Sequence, residues 1–331
     1  MREASRRGSN PQHGQGTQGP RRVVSGRRAG IDVGGTKCLA VVVDDDLRVV
    51  AEHRIATPHG TDQLIDGLVD LIERMGPCDS IGLGVPGLIT RDGVIRASPN
   101  LSSAIDFPVG RALADRIGRH VHVENDATCA AIAEWRAGAA DGARHAVVVT
   151  LGTGIGGGII SEGRVVRGVN GFAGEIGHMI VDPNGPLCPC GQHGCWERFA
   201  SGTGLVFLAR RAGLFSDRDD VRGEDVMAAA SAGDGAVRDV LDEFGRWVAL
   251  GLANLTNALD PEVIVIGGGL AAAGDAVIQP VRRWFAELLY SPRLRPHPRI
   301  DVARHGPLAG AIGAALLAEV ANEPFSDGIG H

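Results

Sequence analysis

The densest chemistry in this 331-residue chain lies in Gly174-Glu175-Ile176-Gly177-His178 and, nine residues on, Cys188-Pro189-Cys190-Gly191-Gln192-His193-Gly194-Cys195. Three thiolates and one imidazole make a closed tetrahedral set of the structural-zinc type: His178 with Cys188, Cys190 and Cys195. The interleaved glycines let the backbone wrap an ion tightly. Four protein ligands leave no open position, so zinc here would shape a loop rather than catalyse. Redox thiols or an incidental cluster are the rival explanations. His193 sits inside the knuckle itself, which favours His178 as the fourth ligand. Glu175 and Glu197 flank the ligands. Carboxylates on a metal-stiffened loop suit paired hydrogen bonds to adjacent sugar hydroxyls, although either alone reads as a solvated loop residue.

A second candidate is Glu124-Asn125-Asp126-Ala127-Thr128, after a strand and opening a helix. Asp126 there is either a helix N-cap or a general base. As a base it would orient a sugar hydroxyl and take its proton late in attack on a phosphoryl group. Asn100, in Ser98-Pro99-Asn100-Leu101, places an amide after a turn.

Three glycine turns end apolar strands. Ile31-Asp32-Val33-Gly34-Gly35-Thr36-Lys37 combines an acid, two glycines, a hydroxyl and a base. Backbone N–H groups can face an anion there without Cβ clash, and Asp32 can orient a metal-bound water. The pattern is neither a Walker A loop nor a dinucleotide turn. Leu151-Gly152-Thr153-Gly154-Ile155-Gly156-Gly157-Gly158 has the same character. Gly267-Gly268-Gly269 follows a third strand and could accept an adenosine lying flat. Ordinary hairpin turns are the plainer alternative for each.

Strand, glycine turn, strand, tight turn, strand occurs twice, from Ala29 and again from Ala146. This predicts two related α/β domains whose mixed sheets each open on a hairpin meander, with the glycine turns lining the cleft between them. Helices are expected over 61–75, 109–118, 127–140, 237–259 and 307–323, and a hairpin about Asp92-Gly93. Residues 1–28 are polar and Arg-rich and read as a disordered tail.

Composition bounds the class. Glycine, 49 of 331 residues, is about twice the usual ~7% but lacks a collagen period. Seven Arg and one Glu leave residues 1–30 at +6 and the rest at −12, against −6 overall. An acidic body with 4% aromatics argues against nucleic-acid binding. No apolar run spans a membrane, and no signal peptide is recognisable, so a cytoplasmic location is expected.

Together these motifs resemble the ROK family (repressors, uncharacterised reading frames and sugar kinases) over roughly residues 29–322. The pairing of His178 with the cysteine knuckle is specific to that resemblance. The phosphate turns alone would indicate only the wider superfamily. The resemblance implies a two-domain actin-like/hexokinase/Hsp70 ATPase (ribonuclease H-like) fold with a zinc-knuckle loop. The N-terminal α/β domain would span 29–143, with the last helix, about 308–322, packed back onto it. The second domain would span 144–307 and carry the zinc loop, 174–197.

It further implies MgATP in the cleft, bound by Asp32, Gly34, Gly35, Thr36, Lys37, Gly152, Thr153, Gly154, Gly267, Gly268 and Gly269. Sugar would be held by Asn100, Asn125, Asp126, Glu175, His178 and Glu197, with Asp126 as base and His178 serving both zinc and sugar. The run from Gly168 to Gly202 resembles bacterial, particularly actinobacterial, glucokinases. The expected reaction is therefore ATP-dependent phosphorylation of glucose at its 6-hydroxyl, by a homodimer or homotetramer without nucleic-acid or membrane partners. Fructose, mannose, N-acetylglucosamine or N-acetylmannosamine as substrate, polyphosphate as donor, and a non-catalytic sugar sensor are the alternatives.

Overall fold

The computed structural model describes residues 26–321 apart from 100 and 102. Most of the expected N-terminal tail, Asn100 and the chain's last ten positions lie outside the described residues. The chain opens with a meander, β1 (Arg28–Val33), β2 (Lys37–Val43) and β3 (Val49–Ala56). Then come α1 (Thr61–Met75), β4 (Ser80–Val85) and a small hairpin, β5 (Leu88–Ile89) and β6 (Ile95–Ala97). The first lobe ends with α2 (Val109–Ile117), β7 (His122–Asn125) and α3 (Asp126–Ala137).

A second meander follows, β8 (Ala146–Leu151), β9 (Ile155–Ser161) and β10 (Arg164–Val165). After the cysteine-rich segment come α4 (Glu197–Ala200), α5 (Gly202–Arg211), α6 (Gly223–Ser231) and α7 (Gly235–Leu259). The last elements are β11 (Val263–Gly267), α8 (Asp275–Leu288), β12 (Arg299–Val302), α9 (Ala309–Ala315) and α10 (Leu317–Ala321).

The two main sheets have one topology. Their strand orders are β3-β2-β1-β4-β7 and β10-β9-β8-β11-β12. In each, the meander is antiparallel and the last two strands join in parallel. The apolar stripe of α1, Leu64, Ile65, Leu68, Leu71 and Met75, is buried against the first sheet. The long α7 buries Val240, Phe244, Val248 and Leu252 in the core of the second lobe. Among the described residues no helix is long and apolar enough to cross a membrane.

Helices α3 and α9 lie where the lobes meet. One face of α3, Cys129, Ile132 and Ala133, packs with Ala311, Ile312 and Ala315 of α9. Its other face, Ala131 and Trp135, packs on Val148, Ile160 and Val263 of the second sheet. Small residues permit this closeness: a Cβ at Gly313 would stand 1.7 Å from the Cys129 carbonyl oxygen.

Two expected boundaries change. The C-terminal helix breaks at Leu316: α9 packs on α3 and across β2, β1 and β4, and α10 continues on β4 and β7. Arg28 is no tail residue. It begins β1, is 2% exposed and pairs with Glu319 of α10, tying the start of the described chain to its end.

Candidate active site

The first glycine turn joins β1 to β2. Gly34 N–H donates to the Lys37 carbonyl (2.9 Å). Thr57 braces the turn from β3's end, its hydroxyl donating to the Gly34 carbonyl (2.6 Å) and its N–H to Thr36's (3.1 Å). Gly35, Thr36 and Lys37 stay exposed. A cavity of about 280 Å³ opens beside them, lined also by Thr57, His59, Leu101 and Ser103.

The second turn joins β8 to β9. Gly152 N–H bonds the Gly154 carbonyl (3.0 Å), and Gly202 N–H from α5 bonds the Gly152 carbonyl (2.7 Å). The third turn stacks on it. Gly268 has φ +84°, and a Cβ there would lie 2.4 Å from the Leu151 carbonyl oxygen. The second and third turns therefore adjoin on the second lobe.

Not all of the second glycine cluster belongs to that turn. Gly156, Gly157 and Gly158 are in β9 and serve packing. Cβ atoms at Gly156 and Gly158 would meet Ala127 and Ala131 of α3 at 2.5 and 2.3 Å; one at Gly157 would meet Ile176 at 2.3 Å. The bare strand lets α3 lie on one face and the 174–178 segment on the other. Asp126, first residue of α3, is thereby brought to Glu175.

Asn125, rather than Asp126, caps α3. Its Oδ1 accepts from Thr128 N–H (3.0 Å), and its Nδ2 donates to the Gly87 carbonyl (3.1 Å). Asp126 accepts from Ala127 N–H (2.8 Å). Burial pushes the Asp126 carboxyl above its usual range, against that hydrogen bond. Asp32 is pushed up to about 7 by burial and then by the charge of Asp126, with Lys37 opposing. Two crowded carboxylates at one cleft are what a divalent cation relieves, so the residues present fit a metal–phosphate complex. Glu175 is raised by burial and by Asp126 and Glu197, with His178 opposing.

The cysteine loop is shaped by Gly191 and Gly194, at φ +91° and +67°. A Cβ at Gly194 would overlap the Asp182 carbonyl at 1.5 Å. One ligand atom each from His178, Cys188, Cys190 and Cys195 lies within 4.8 Å of the others. Cys188 Sγ is 3.7 Å from His178 Nδ1, and Cys190 Sγ is 3.5 Å from Cys195 Sγ. A tetrahedron with metal–sulfur bonds of ~2.3 Å has edges of ~3.8 Å, so the donor set fits zinc. His193 stays out of it, with Nδ1 at 3.1 Å from the Gly185 carbonyl oxygen. With Nδ1 towards the sulfurs, His178 turns Nε2 towards Glu175 Oε2 (3.9 Å). Glu197 binds this centre to the second turn: Oε1 accepts from Cys188 Sγ (3.2 Å) and Oε2 from Ile155 N–H (3.4 Å).

The structure thus groups Asp32, Asp126, Glu175, His178 and Glu197 at one cleft. Sequence reasoning missed Thr57, whose support of the first turn carries no local signal. It also missed Arg167, which pairs with buried Glu124 at 2.5 Å. A buried acid on a strand just before Asn125 was the available sign.

The repeated sheets, the clefted glycine turns and the Cys₃His loop define the class. The family model described as "ROK family" matches residues 28–321, and this chain belongs to that family. It is 36% identical over 310 residues to a glucokinase of Streptomyces coelicolor, covering 88% of this chain and 98% of that one. It is 35% identical over 296 residues to an N-acetylmannosamine kinase of Citrobacter koseri, covering 87% and 97%. A solved ROK family glucokinase from Streptomyces griseus, in complex with glucose and AMPPNP, superposes with a TM-score of 0.80. The two are 35% identical, with 88% of this chain and 99% of that chain covered.

Proposed function

We propose that this chain is a glucokinase, transferring the γ-phosphoryl group of ATP to the 6-hydroxyl of glucose. The coarser statement, an ATP-dependent sugar kinase, rests on family membership and on glucokinase relatives that match nearly end to end. The observation that carries the finer one is the placing of half-buried Asp126 beside Glu175, with His178 and Glu197 held on the cysteine loop. The Streptomyces griseus relative, solved with glucose and AMPPNP, supports glucose and a nucleoside triphosphate as the pair.

In this mechanism Glu175, His178 Nε2 and Glu197 grip sugar hydroxyls and leave the 6-hydroxyl at Asp126. Asp126 orients that hydroxyl and receives its proton as the oxygen bonds the γ-phosphorus and the β–γ bridging bond breaks. Burial raises the proton affinity of Asp126, the direction that strengthens a carboxylate as a base. Backbone N–H groups of the two Gly-Thr turns, with Lys37, face the phosphates. Asp32 would hold the magnesium ion that accompanies ATP, and that ion would supply charge neutralisation at the phosphates. Zinc at the Cys₃His set would order the sugar loop.

A second reading, an N-acetylhexosamine kinase, is favoured by the N-acetylmannosamine kinase relative at nearly equal identity. Sugar-dependent ADP release, measured with MgATP against glucose, mannose, fructose, N-acetylglucosamine and N-acetylmannosamine, separates the two. The highest kcat/KM with glucose is expected. A higher value with an N-acetylhexosamine replaces this reading with the second.

A further inference from the structure

Among the described residues two chain segments join the lobes: 138–145, from α3 to β8, and 303–308, from β12 to α9. One side chain is bonded to both. Glu134 of α3 is 1% exposed, and its carboxylate accepts Ala139 N–H (2.9 Å) from the first crossing. From the second it accepts Arg304 N–H at Oε1 (2.9 Å) and Oε2 (3.0 Å), and His305 N–H at Oε1 (2.8 Å). Its main-chain carbonyl accepts from Gly138 and Ala140 N–H (3.1 and 3.0 Å). Gly138 makes room: a Cβ there would stand 2.2 Å from Glu134 Oε2. Main-chain N–H groups from both crossings meet on this one buried carboxylate, which fixes them to one point.

We propose that Glu134 is the pivot of the interdomain hinge and a positioning residue for phosphoryl transfer. Each lobe has its own core, so lobe folding does not depend on the pivot. Asp32 and the first turn lie on one lobe, the second and third turns on the other. The hinge therefore decides whether they converge on one triphosphate. Of the proposed sugar contacts, Glu175, His178 and Glu197 lie within the second lobe, and Asp126 from the first lobe meets only the reacting 6-hydroxyl. A defect at Glu134 should therefore lower kcat and leave the sugar KM nearly unchanged. The inference rests on the sugar-kinase reading for that kinetic readout alone.

The test uses Glu134→Gln and His305→Pro in the full chain. Glutamine keeps the shape but sets an NH₂ group against main-chain donors. His305 has φ −85°, close to the angle proline imposes. Its replacement deletes one N–H donor and leaves the carboxylate intact. We expect kcat to fall tenfold or more in Glu134→Gln and several-fold in His305→Pro, with glucose KM within threefold of wild type in both. Amide exchange at 139 and 304 should be slow in wild type and faster in both variants, with β1 and β8 unchanged. Should Glu134→Gln not fold, His305→Pro decides alone. A kcat within twofold of wild type in the folded variants, with only a lower Tm, overturns the pivot. So does fast exchange at 139 and 304 in wild type. Lack of sugar turnover by wild type would count against the kinase reading, and the exchange result would still decide the pivot.

Discussion

β1 and β8 are equivalent strands in the two lobes, with the same sequence of buried and half-buried positions. At the fifth place, where each nears its glycine turn, β1 has Asp32 and β8 has Thr150. The next strands differ more. β2 is KCLAVVV, with large aliphatic residues, while β9 is IGGGIIS. A duplicated frame has thus been furnished twice. The first lobe supplies Asp32 and Asp126. The second gives up side chains on β9 so that α3 and the 174–178 segment can close on it. The frame follows from packing, whereas the chemistry comes from where packing was relaxed or a loop inserted.

The sharpest way to break this contrast is Asp126→Asn. It should leave folding and zinc content intact and lower kcat by about a thousandfold. Sugar-dependent ADP release together with a thermal melt checks both halves; near-full rate would remove Asp126 as base.

Asp32→Asn comes next, with a fall in kcat of roughly a hundredfold and a higher magnesium requirement. Its pH behaviour has a definite sign. Asp32 rises from 3.8 to about 7 on folding, so the folded state prefers the protonated form. That contribution is complete below about pH 4 and is lost as pH rises through 7. Melts without metal should therefore show wild type losing stability between pH 4 and 7, by up to a few kcal/mol, and Asp32→Asn escaping the loss. For the same reason wild-type activity should rise through neutral pH, with a midpoint that falls as magnesium increases.

Cys190→Ser should abolish one bound zinc per chain and raise the glucose KM by about tenfold, since the sugar loop loses its brace. Metal analysis and KM read this out, and normal values for both would dismiss the zinc role.

Gly154→Ala is the mildest. A Cβ there would lie 2.6 Å from Glu197 Oε2, the movable end of a side chain, so glucose KM should rise roughly threefold with kcat little changed. An unaltered KM would separate the second turn from the sugar loop.

Much of this was legible from local pattern. The stripe from Leu64 to Met75, the Asp92-Gly93 hairpin and both meanders are short-range signals, and each forms. The clustering of His178 with three cysteines followed from ligand chemistry. What escaped depends on distant partners. Thr57 braces a turn through Gly34, 23 residues away, and Glu134 meets the Arg304 donor 170 residues away. The break at Leu316 divides one apolar run between α9, which packs on α3 and across β2, β1 and β4, and α10, which packs on β4 and β7. The glycines of β9 were visible, but their packing role appears only when α3 lies upon them.

The central claim is that the two lobes meet to phosphorylate glucose with Asp126 as base. Its most direct test is the product formed from glucose and MgATP by zinc-loaded wild type and by Asp126→Asn, identified by phosphorus NMR. Wild type should give glucose 6-phosphate and the variant about a thousandfold less. No phosphorylated glucose from wild type, or equal yield from both, would contradict it.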